Sequence, residues 1–320
     1  MPELPDITVY IEALQERVLG RVLERIQIAG PSLLKTATPR IEAAERRRVT
    51  EIRRVGKRIA MALENDSGPE KRIWVVLHLM IAGRLHWSNQ RKVPDGRRVL
   101  AAFDFENGSL TLTEAGTRKR ASLHAVQGDE GLQKLDPGGI DVMAASHEEF
   151  SRVLISANHT LKRSLTDPHY FSGIGNAYSD EILHAARLSP VALTQRLKAD
   201  EIERLYQATQ QTMQKWIARL RTQAGMESPK AGSKQSKFPE KVTAFRPEMA
   251  VHGRYGQPCP VCGAKVQRIR YASNETNYCP ACQTGGKLLA DRSLSRLLRE
   301  DWPKSLDEME ERIGKSANLA

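Results

Sequence analysis

The 320-residue chain lacks several features that would have set its class early. No stretch approaches the about 18 consecutive apolar residues of a membrane helix, so no association with a membrane is expected. The opening Met1-Pro2-Glu3-Leu4-Pro5-Asp6 has no basic segment followed by an apolar run, so it does not read as a secretory signal. The expected location is the cytoplasm, on the nucleoid of a bacterium-like cell. No internal repeat of fold-defining length is present, which excludes a solenoid. A dinucleotide fingerprint is missing too: Gly173-Ile174-Gly175-Asn176 follows no strand pattern and lacks the third glycine. Cysteine is scarce, with four residues in all, and in a cytosolic chain four cysteines argue for metal rather than disulfides.

Hydrophobic residues make up 40% of the chain, enough for a sizeable core, and the length suits two or three modest domains. The formal net charge is +11, and a basic chain of this size usually meets a polyanion, with nucleic acid as the first candidate. A basic but unrelated soluble protein is the alternative that charge alone leaves open.

Pro5 suits the first turn of a helix, and Val9, Ala13, Leu14 and Val18 recur at helical spacing up to Gly20. From about Val22 to Val126 the pattern is that of closely spaced strands, among them Val49–Arg54, Ile59–Leu63, Trp74–Leu79, Val99–Phe105 and Ser109–Thr113. Turn signals at Gly56, Asn65–Gly68, Asp95-Gly96 and Asn107-Gly108 separate them, which suggests a sandwich or flattened barrel. Asp136-Pro137-Gly138-Gly139 marks a boundary, after which the pattern is helical to about Leu220. The stretch Gln223–Lys241, rich in Ser, Gly, Lys and Pro, reads as a flexible basic loop.

Cys259-Pro260-Val261-Cys262 and Cys279-Pro280-Ala281-Cys282 form two knuckles with 16 residues between them. Each offers two thiolates, and the spacer has room for a β-hairpin, so together they suit one closed tetrahedral zinc site of structural type. A redox pair is the alternative, disfavoured because there are two such pairs. Arg254, Lys265, Arg268 and Arg270 flank the module, which makes a DNA-facing hairpin plausible beside a generic zinc ribbon for protein contacts. Gly173–Asn176 is a tight turn feeding a helix start, where backbone N–H groups and the helix dipole favour an anion and Asn176 can donate to a phosphate oxygen. A plain turn between two helices reads equally well. Pro2 carries a secondary amine once Met1 is removed, with a pKa nearer neutrality than a lysine's, and Glu3 beside it can move protons. Alone, the segment is also an ordinary helix start.

Taken in order, Met-Pro-Glu-Leu-Pro-Asp, Gly-Ile-Gly-Asn and the four-cysteine finger resemble the formamidopyrimidine-DNA glycosylase/endonuclease VIII family. Val55-Gly56-Lys57-Arg58, Leu77-His78-Leu79 with Gly83 and Leu85, Leu161-Lys162, Asp167 and Gly253-Arg254 add to the likeness, which runs to about Lys287. The resemblance implies an α+β multi-domain fold. An N-terminal catalytic β-sandwich with its opening helix takes residues 1–135, and a helix-two-turn-helix domain with the basic loop takes 146–241. The zinc finger takes 250–287. Residues 288–320, beyond the likeness, read from their own pattern as a charged, helical C-terminal extension with no assigned function. DNA would lie in the cleft between domains, with the damaged nucleotide flipped into a pocket.

The implied activity is base-excision repair of oxidised or ring-opened bases, of the formamidopyrimidine and 8-oxoguanine type, with an associated abasic-site lyase. It would act on damaged double-stranded DNA, as a monomer, with one structural zinc. An oxidised-pyrimidine enzyme of the same family, or a catalytically weak lesion-binding protein of the same fold, are the other readings. The resemblance assigns Pro2 as Schiff-base nucleophile, Glu3 as proton donor and Lys57 as proton donor in β-elimination and phosphate ligand. His78, Lys162, Asn176 and Arg254 fall at DNA-contact positions, and Glu181 at an acidic position beside the pocket.

The chain also departs from the family. Asn274 stands where the finger usually has an arginine five residues before the third cysteine, and an uncharged amide grips a phosphate less strongly. Met80 and Ile81 share the place of the void-filling methionine. Thr113–Arg120 stands near the Arg–Phe wedge without a phenylalanine, and Pro168 replaces a frequent glutamine.

Overall fold

A computed structural model describes residues 1–65, 72–226, 236–240, 246–271, 274–289, 303–305 and 308; the side chains of Tyr271 and Asn274 lie outside what is described. The chain divides into two units, residues 1–139 with 214–244 and residues 140–213 with 245–320.

The first unit opens with α1 (Leu4–Val18). Pro5 sits in its first turn, and the Asp6 carboxylate accepts the Glu3 N–H at 2.9 Å, so an orphan donor at the helix start is satisfied by a side chain three residues on. Strands β1 (Val22–Ile28), β2 (Arg47–Val55), β3 (Arg58–Glu64), β4 (Ile73–His78), β5 (Gly83–Ser88), β6 (Val99–Phe105), β7 (Gly108–Glu114) and β8 (Ser122–Gln127) follow. They pair antiparallel in the order β5-β7-β6-β1-β2-β3-β4-β8. β1 and β2 are joined by only two residue pairs, Val22 with Arg48 and Leu23 with Arg47. The array therefore folds over there into two layers, the expected sandwich. Period-2 alternation turns Leu23, Ile26, Val49, Ile52, Ile59, Met61, Val75, Leu77, Leu85, Phe103, Leu110 and Leu123 inward. They join one apolar cluster with Ile7, Tyr10, Leu14 and Val18 of α1. Each fully buried Leu or Ile stabilises the fold by about 1.5–3 kcal/mol. The outer face of β3 and β4 is apolar as well, with Ala60, Ala62, Trp74 and Val76, and Leu132 of α2 (Gly128–Gln133) covers it.

After Ala224 of the basic stretch, Phe238 stacks on Tyr10 at 5.7 Å between ring centroids and lies under the Arg17 guanidinium. Residues 236–240 are thus docked on α1; the intervening residues 227–235 lie outside the described residues.

The second unit holds β9 (Ile140–Asp141), α3 (His147–Ile155), α4 (Leu161–Thr166), β10 (Phe171–Ser172), α5 (Asn176–Ala185) and the first part of α6 (Ala199–Gln223). Ser146 caps α3 by accepting the Glu149 N–H. A hairpin of β11 (Gln267–Tyr271) and β12 (Asn274–Tyr278) and the short α7 (Pro280–Thr284) complete the unit. Of the charged extension from residue 288, only 288–289, 303–305 and 308 are described, so its expected helix lies outside the described residues. Among the described residues no helix is long and apolar enough to cross a membrane.

Candidate active site and zinc finger

In the first unit three elements bring titratable groups together. Pro2 and Glu3 are buried just ahead of α1, with Glu3 only 1% exposed. Lys57 occupies the two-residue turn between β2 and β3, closed by the pairing of Val55 with Arg58. Gly56 takes φ +60° there, a conformation glycine adopts without a Cβ penalty at the first central position of a tight hairpin turn. Burial pulls the Lys57 ammonium below its ordinary pKa; the Glu3 carboxylate works against that shift and Arg58 adds to it. The N-terminal ammonium of Met1 is likewise held down by burial, with Glu3 opposing and Arg84 reinforcing. An amine at this place loses its proton more readily than one in water, and it does so beside a carboxylate.

His78 ends β4 opposite Arg58 of β3. Burial together with the Arg58, Lys57 and His124 charges pushes its pKa down to about 4. His78 is therefore a neutral imidazole near pH 7, and any phosphate contact it makes is a hydrogen bond without charge.

The loop from Leu79 to Gly83 is tight: a Cβ on Gly83 would lie 2.3 Å from the Leu79 carbonyl oxygen, so only glycine fits. Met80 is held at φ +52° and Ile81 projects, 54% exposed. Of the two apolar side chains at this position, Ile81 is the one presented outward. Near the wedge position, the buried Glu114 carboxylate accepts the Arg120 and Ala121 N–H groups at 2.9 and 3.1 Å, closing the turn after β7.

Lys162, expected at a DNA-contact position, has its ammonium engaged within the unit. Its ammonium donates to the Asn176 carbonyl at 2.7 Å, Ser179 Oγ at 2.8 Å and Asp180 Oδ1 at 2.5 Å, which accounts for all three protons. Asp180 is fully buried, and its second oxygen receives His252 Nδ1 at 2.8 Å and the Asn277 N–H at 3.1 Å. Glu181 is likewise engaged. Its buried carboxylate takes the Ala250, Val251 and His252 N–H groups at 2.7, 2.9 and 3.0 Å. It anchors the chain entering the finger. Burial nonetheless drives its pKa upward, the three donors opposing. Asn176 opens α5 as its first residue, and its amide donates to the Glu275 carbonyl in the hairpin at 2.8 Å. Arg254 spans the carbonyls of Pro247, Met249 and Pro258 at 3.2–3.3 Å, bracing the first knuckle. Asn274 opens β12 opposite Tyr271.

The four cysteine sulfurs lie within 4.8 Å of one another. Cys259 and Cys282 are 4.0 Å apart and Cys262 and Cys279 3.4 Å. Zinc–sulfur bonds of about 2.3 Å in a tetrahedron place sulfurs about 3.8 Å apart, so the cluster fits one zinc ion with no open position. His184 Nε2 lies 3.2 Å from Cys259 Sγ, and the Val261 and Cys282 N–H groups point at thiolate sulfurs at 3.5 Å. The zinc is structural: it holds together a module whose buried apolar cluster is Val251, Cys259, Val266 and Cys279. The purified protein is expected to contain one zinc per chain by metal analysis, and stripping it with a strong chelator should expose residues 250–287 to limited proteolysis while 1–135 stays protected. A protected finger after complete zinc removal would contradict the assignment.

Family models match three successive segments: the formamidopyrimidine-DNA glycosylase N-terminal domain over residues 1–123, the formamidopyrimidine-DNA glycosylase H2TH domain over 139–227, and a zinc finger found in FPG and IleRS over 256–285. A formamidopyrimidine-DNA glycosylase of Heliobacterium modesticaldum is 30% identical over 291 residues, covering 88% of this chain and 100% of the relative. The chain belongs to the formamidopyrimidine-DNA glycosylase family. An uncharacterized formamidopyrimidine-DNA glycosylase-like protein of Mycobacterium tuberculosis is 39% identical over 161 residues, 50% of this chain and 94% of that protein. The crystal structure of MutM (Fpg) from Thermus thermophilus superposes with a TM-score of 0.69 at 29% identity, covering 88% of this chain and 98% of that one. As a member of this family the chain is a DNA-repair glycosylase with a zinc finger. The sequence pointed to Pro2, Glu3, Lys57, His78 and the cysteines. It did not point to Asp180 or Arg84, whose neighbours are distant in sequence and leave no local spacing to read.

Proposed function

We propose that this glycosylase removes oxidised or ring-opened bases, of the formamidopyrimidine and 8-oxoguanine type, from damaged double-stranded DNA and then cleaves the abasic site by β-elimination. The observation that carries the reading is the gathering of the buried N-terminal segment, Glu3 and Lys57 at one place in the first unit. Removal of Met1 moves the free amine to Pro2, deeper in the same surroundings and at the positive end of α1, both of which favour the neutral, nucleophilic amine.

The Pro2 nitrogen lone pair forms a bond to C1′ as the bond from C1′ to the base nitrogen breaks, and the base leaves with that electron pair, taking up the proton that the alkylated Pro2 nitrogen sheds. Glu3 donates a proton to the ring oxygen as the C1′–O4′ bond opens, leaving an iminium ion. The iminium acidifies C2′; loss of a C2′ proton expels the 3′ phosphate. Lys57, an amine whose pKa burial lowers, with the Glu3 charge opposing, handles protons in the elimination and holds the adjacent phosphate. Ile81, outward on its glycine-tightened loop, fills the gap left by the flipped base. His78 supplies an uncharged donor to the DNA backbone. Residues 1–135 carry the chemistry, 146–241 and 250–287 hold the duplex through Asn176, Arg254 and Asn274, and the protein acts as a monomer in the cytoplasm. Asn274 brings no charge, so the second, δ-elimination lags behind the first.

Borohydride reduces the iminium and should fix the protein covalently on a duplex containing an oxidised purine or an abasic site, as a shifted band on denaturing gels. Pro2→Gly is expected to lower trapping by more than ~100-fold. Equal trapping by protein whose residue-2 amine is blocked, by acetylation or by an uncleaved N-terminal extension, would dismiss the nucleophile. Salt-dependent binding without trapping on any lesion would favour a lesion-binding protein, and trapping confined to oxidised pyrimidines would favour endonuclease VIII specificity.

A further inference from the structure

Three polar side chains share the outer face of the sheet at one end of β3, β4 and β8. Arg58 is paired with His78, and His124 sits opposite Val76, two residues before His78. Residues two apart on a strand share a face, so Arg58, His78 and His124 form a triangle on neighbouring strands. Arg58 donates from Nη1 to the Leu135 carbonyl at 2.8 Å, its one hydrogen bond among the described residues. Each member also turns one nitrogen inward with no partner among them: Arg58 Nε, His78 Nε2 and His124 Nδ1.

Those inward nitrogens settle the proton positions. Burial, then the charges of Arg58, Lys57 and His124 around His78 and of Arg58 and Lys35 around His124, lower the pKa of both rings and so favour their neutral forms. The nearest acidic groups act elsewhere, Asp136 on Arg58 and Glu3 on Lys57. A neutral ring has one N–H and one lone pair. Burying an N–H without an acceptor costs about 1–3 kcal/mol, and a cationic neighbour repels it further, whereas a lone pair facing a guanidinium is electrostatically favoured. The lone pairs therefore face inward, and the protons sit outward on His78 Nδ1 and His124 Nε2. Two uncharged donors then stand on the strands to one side of Arg58, whose guanidinium Nη2 makes no hydrogen bond to a described residue.

We propose that Arg58 and His124 complete, with His78, a phosphate site that holds one backbone phosphodiester next to the reacting nucleotide, His124 acting as a neutral donor and Arg58 as the charge. This rests on the reading of the Pro2–Lys57 site and extends it to two residues outside that machinery. It also gives the chain a charged contact within the catalytic unit, where the finger has the uncharged Asn274.

The test is binding to a duplex carrying a reduced abasic site, which Pro2 cannot attack, measured across a range of KCl concentrations. His124→Leu should weaken binding about 3–10-fold with an unchanged salt slope, because a neutral donor releases no counterion. His124→Gln, which keeps an N–H at the Nε2 position, should bind like wild type. Arg58→Met should weaken binding and reduce the salt slope by about 0.9. Wild-type affinity in both His124→Leu and Arg58→Met would overturn the proposal. Equal losses in the Leu and Gln variants, or a slope change in His124→Leu, would equally overturn the neutral-donor role. Should His124→Leu fail to fold, nitrogen-15 NMR of the wild-type protein decides: protons on His78 Nδ1 and His124 Nε2 near neutral pH are expected, and the opposite tautomers would defeat it. Failure of the underlying reading shows separately, as absence of borohydride trapping by wild type.

Discussion

Glu3→Gln is expected to lower the release of a damaged base by about 10²–10⁴-fold while leaving borohydride trapping on a ready-made abasic site within about tenfold of wild type. The split follows from what each step needs. Excising a base requires a proton delivered as the sugar ring opens, and glutamine has none to give. At an abasic site the sugar already interconverts with its open aldehyde, so the Pro2 amine can condense with it without that donor. Glutamine matches the carboxylate in size, and the helix start is held from the other side by the Asp6 carboxylate on the residue 3 N–H, so the fold should survive. The variant also removes the charge that raises the pKa of both the Met1 amine and Lys57. Both groups should then deprotonate at lower pH, and the pH profile of abasic-site trapping should move its rising limb toward acid. Steady-state base release measured beside trapping separates the two effects. Parallel loss of both activities would mean that Glu3 acts through position or stability instead of proton transfer.

What the sequence disclosed followed the range of each interaction. The two cysteine knuckles were readable because the ligands of a zinc site come in local pairs, and the sulfurs converge as that spacing requires. The Val55–Arg58 turn was readable because a glycine with positive φ and its hairpin are a four-residue matter. Pro2 and Glu3 carried no local signal beyond a helix start; only the order of motifs along the whole chain singled them out. The internal partners of Lys162 and Glu181 were not readable, for the complementary reason. Their motif positions were plain, but their partners lie far away in sequence: Asp180 for Lys162, and the backbone of residues 250–252 for Glu181. His124 passed unnoticed because alternation along β8 marks it only as an outward polar residue, and its meaning depends on which strand lies beside it. Arg58 was read only as part of the turn motif for the same reason.

Asp180→Asn is expected to destabilise the second unit by about 3–5 kcal/mol, the range for removing one partner from a buried charged network. Asp180 is the single carboxylate that ties α4 through Lys162, the finger entry through His252 and β12 through Asn277. Asparagine preserves the shape and can still accept from His252 and Asn277 with its one carbonyl oxygen. Its NH₂ group then faces the Lys162 amine, which is 14% exposed and stands beside a donor in place of an anion. For a unit of this size the loss should lower its melting midpoint by on the order of 10 °C. The companion Lys162→Met in the Asp180→Asn background removes the stranded amine, and a thioether-bearing chain fills much of the same space, so the double variant should regain a large part of the stability. A double-mutant cycle by thermal unfolding reads the coupling directly. Additive single losses would show that Lys162 and Asp180 do not depend on each other. A strongly non-additive cycle with zinc still bound would establish that the finger is held against α5 through a buried ion pair between Lys162 and Asp180.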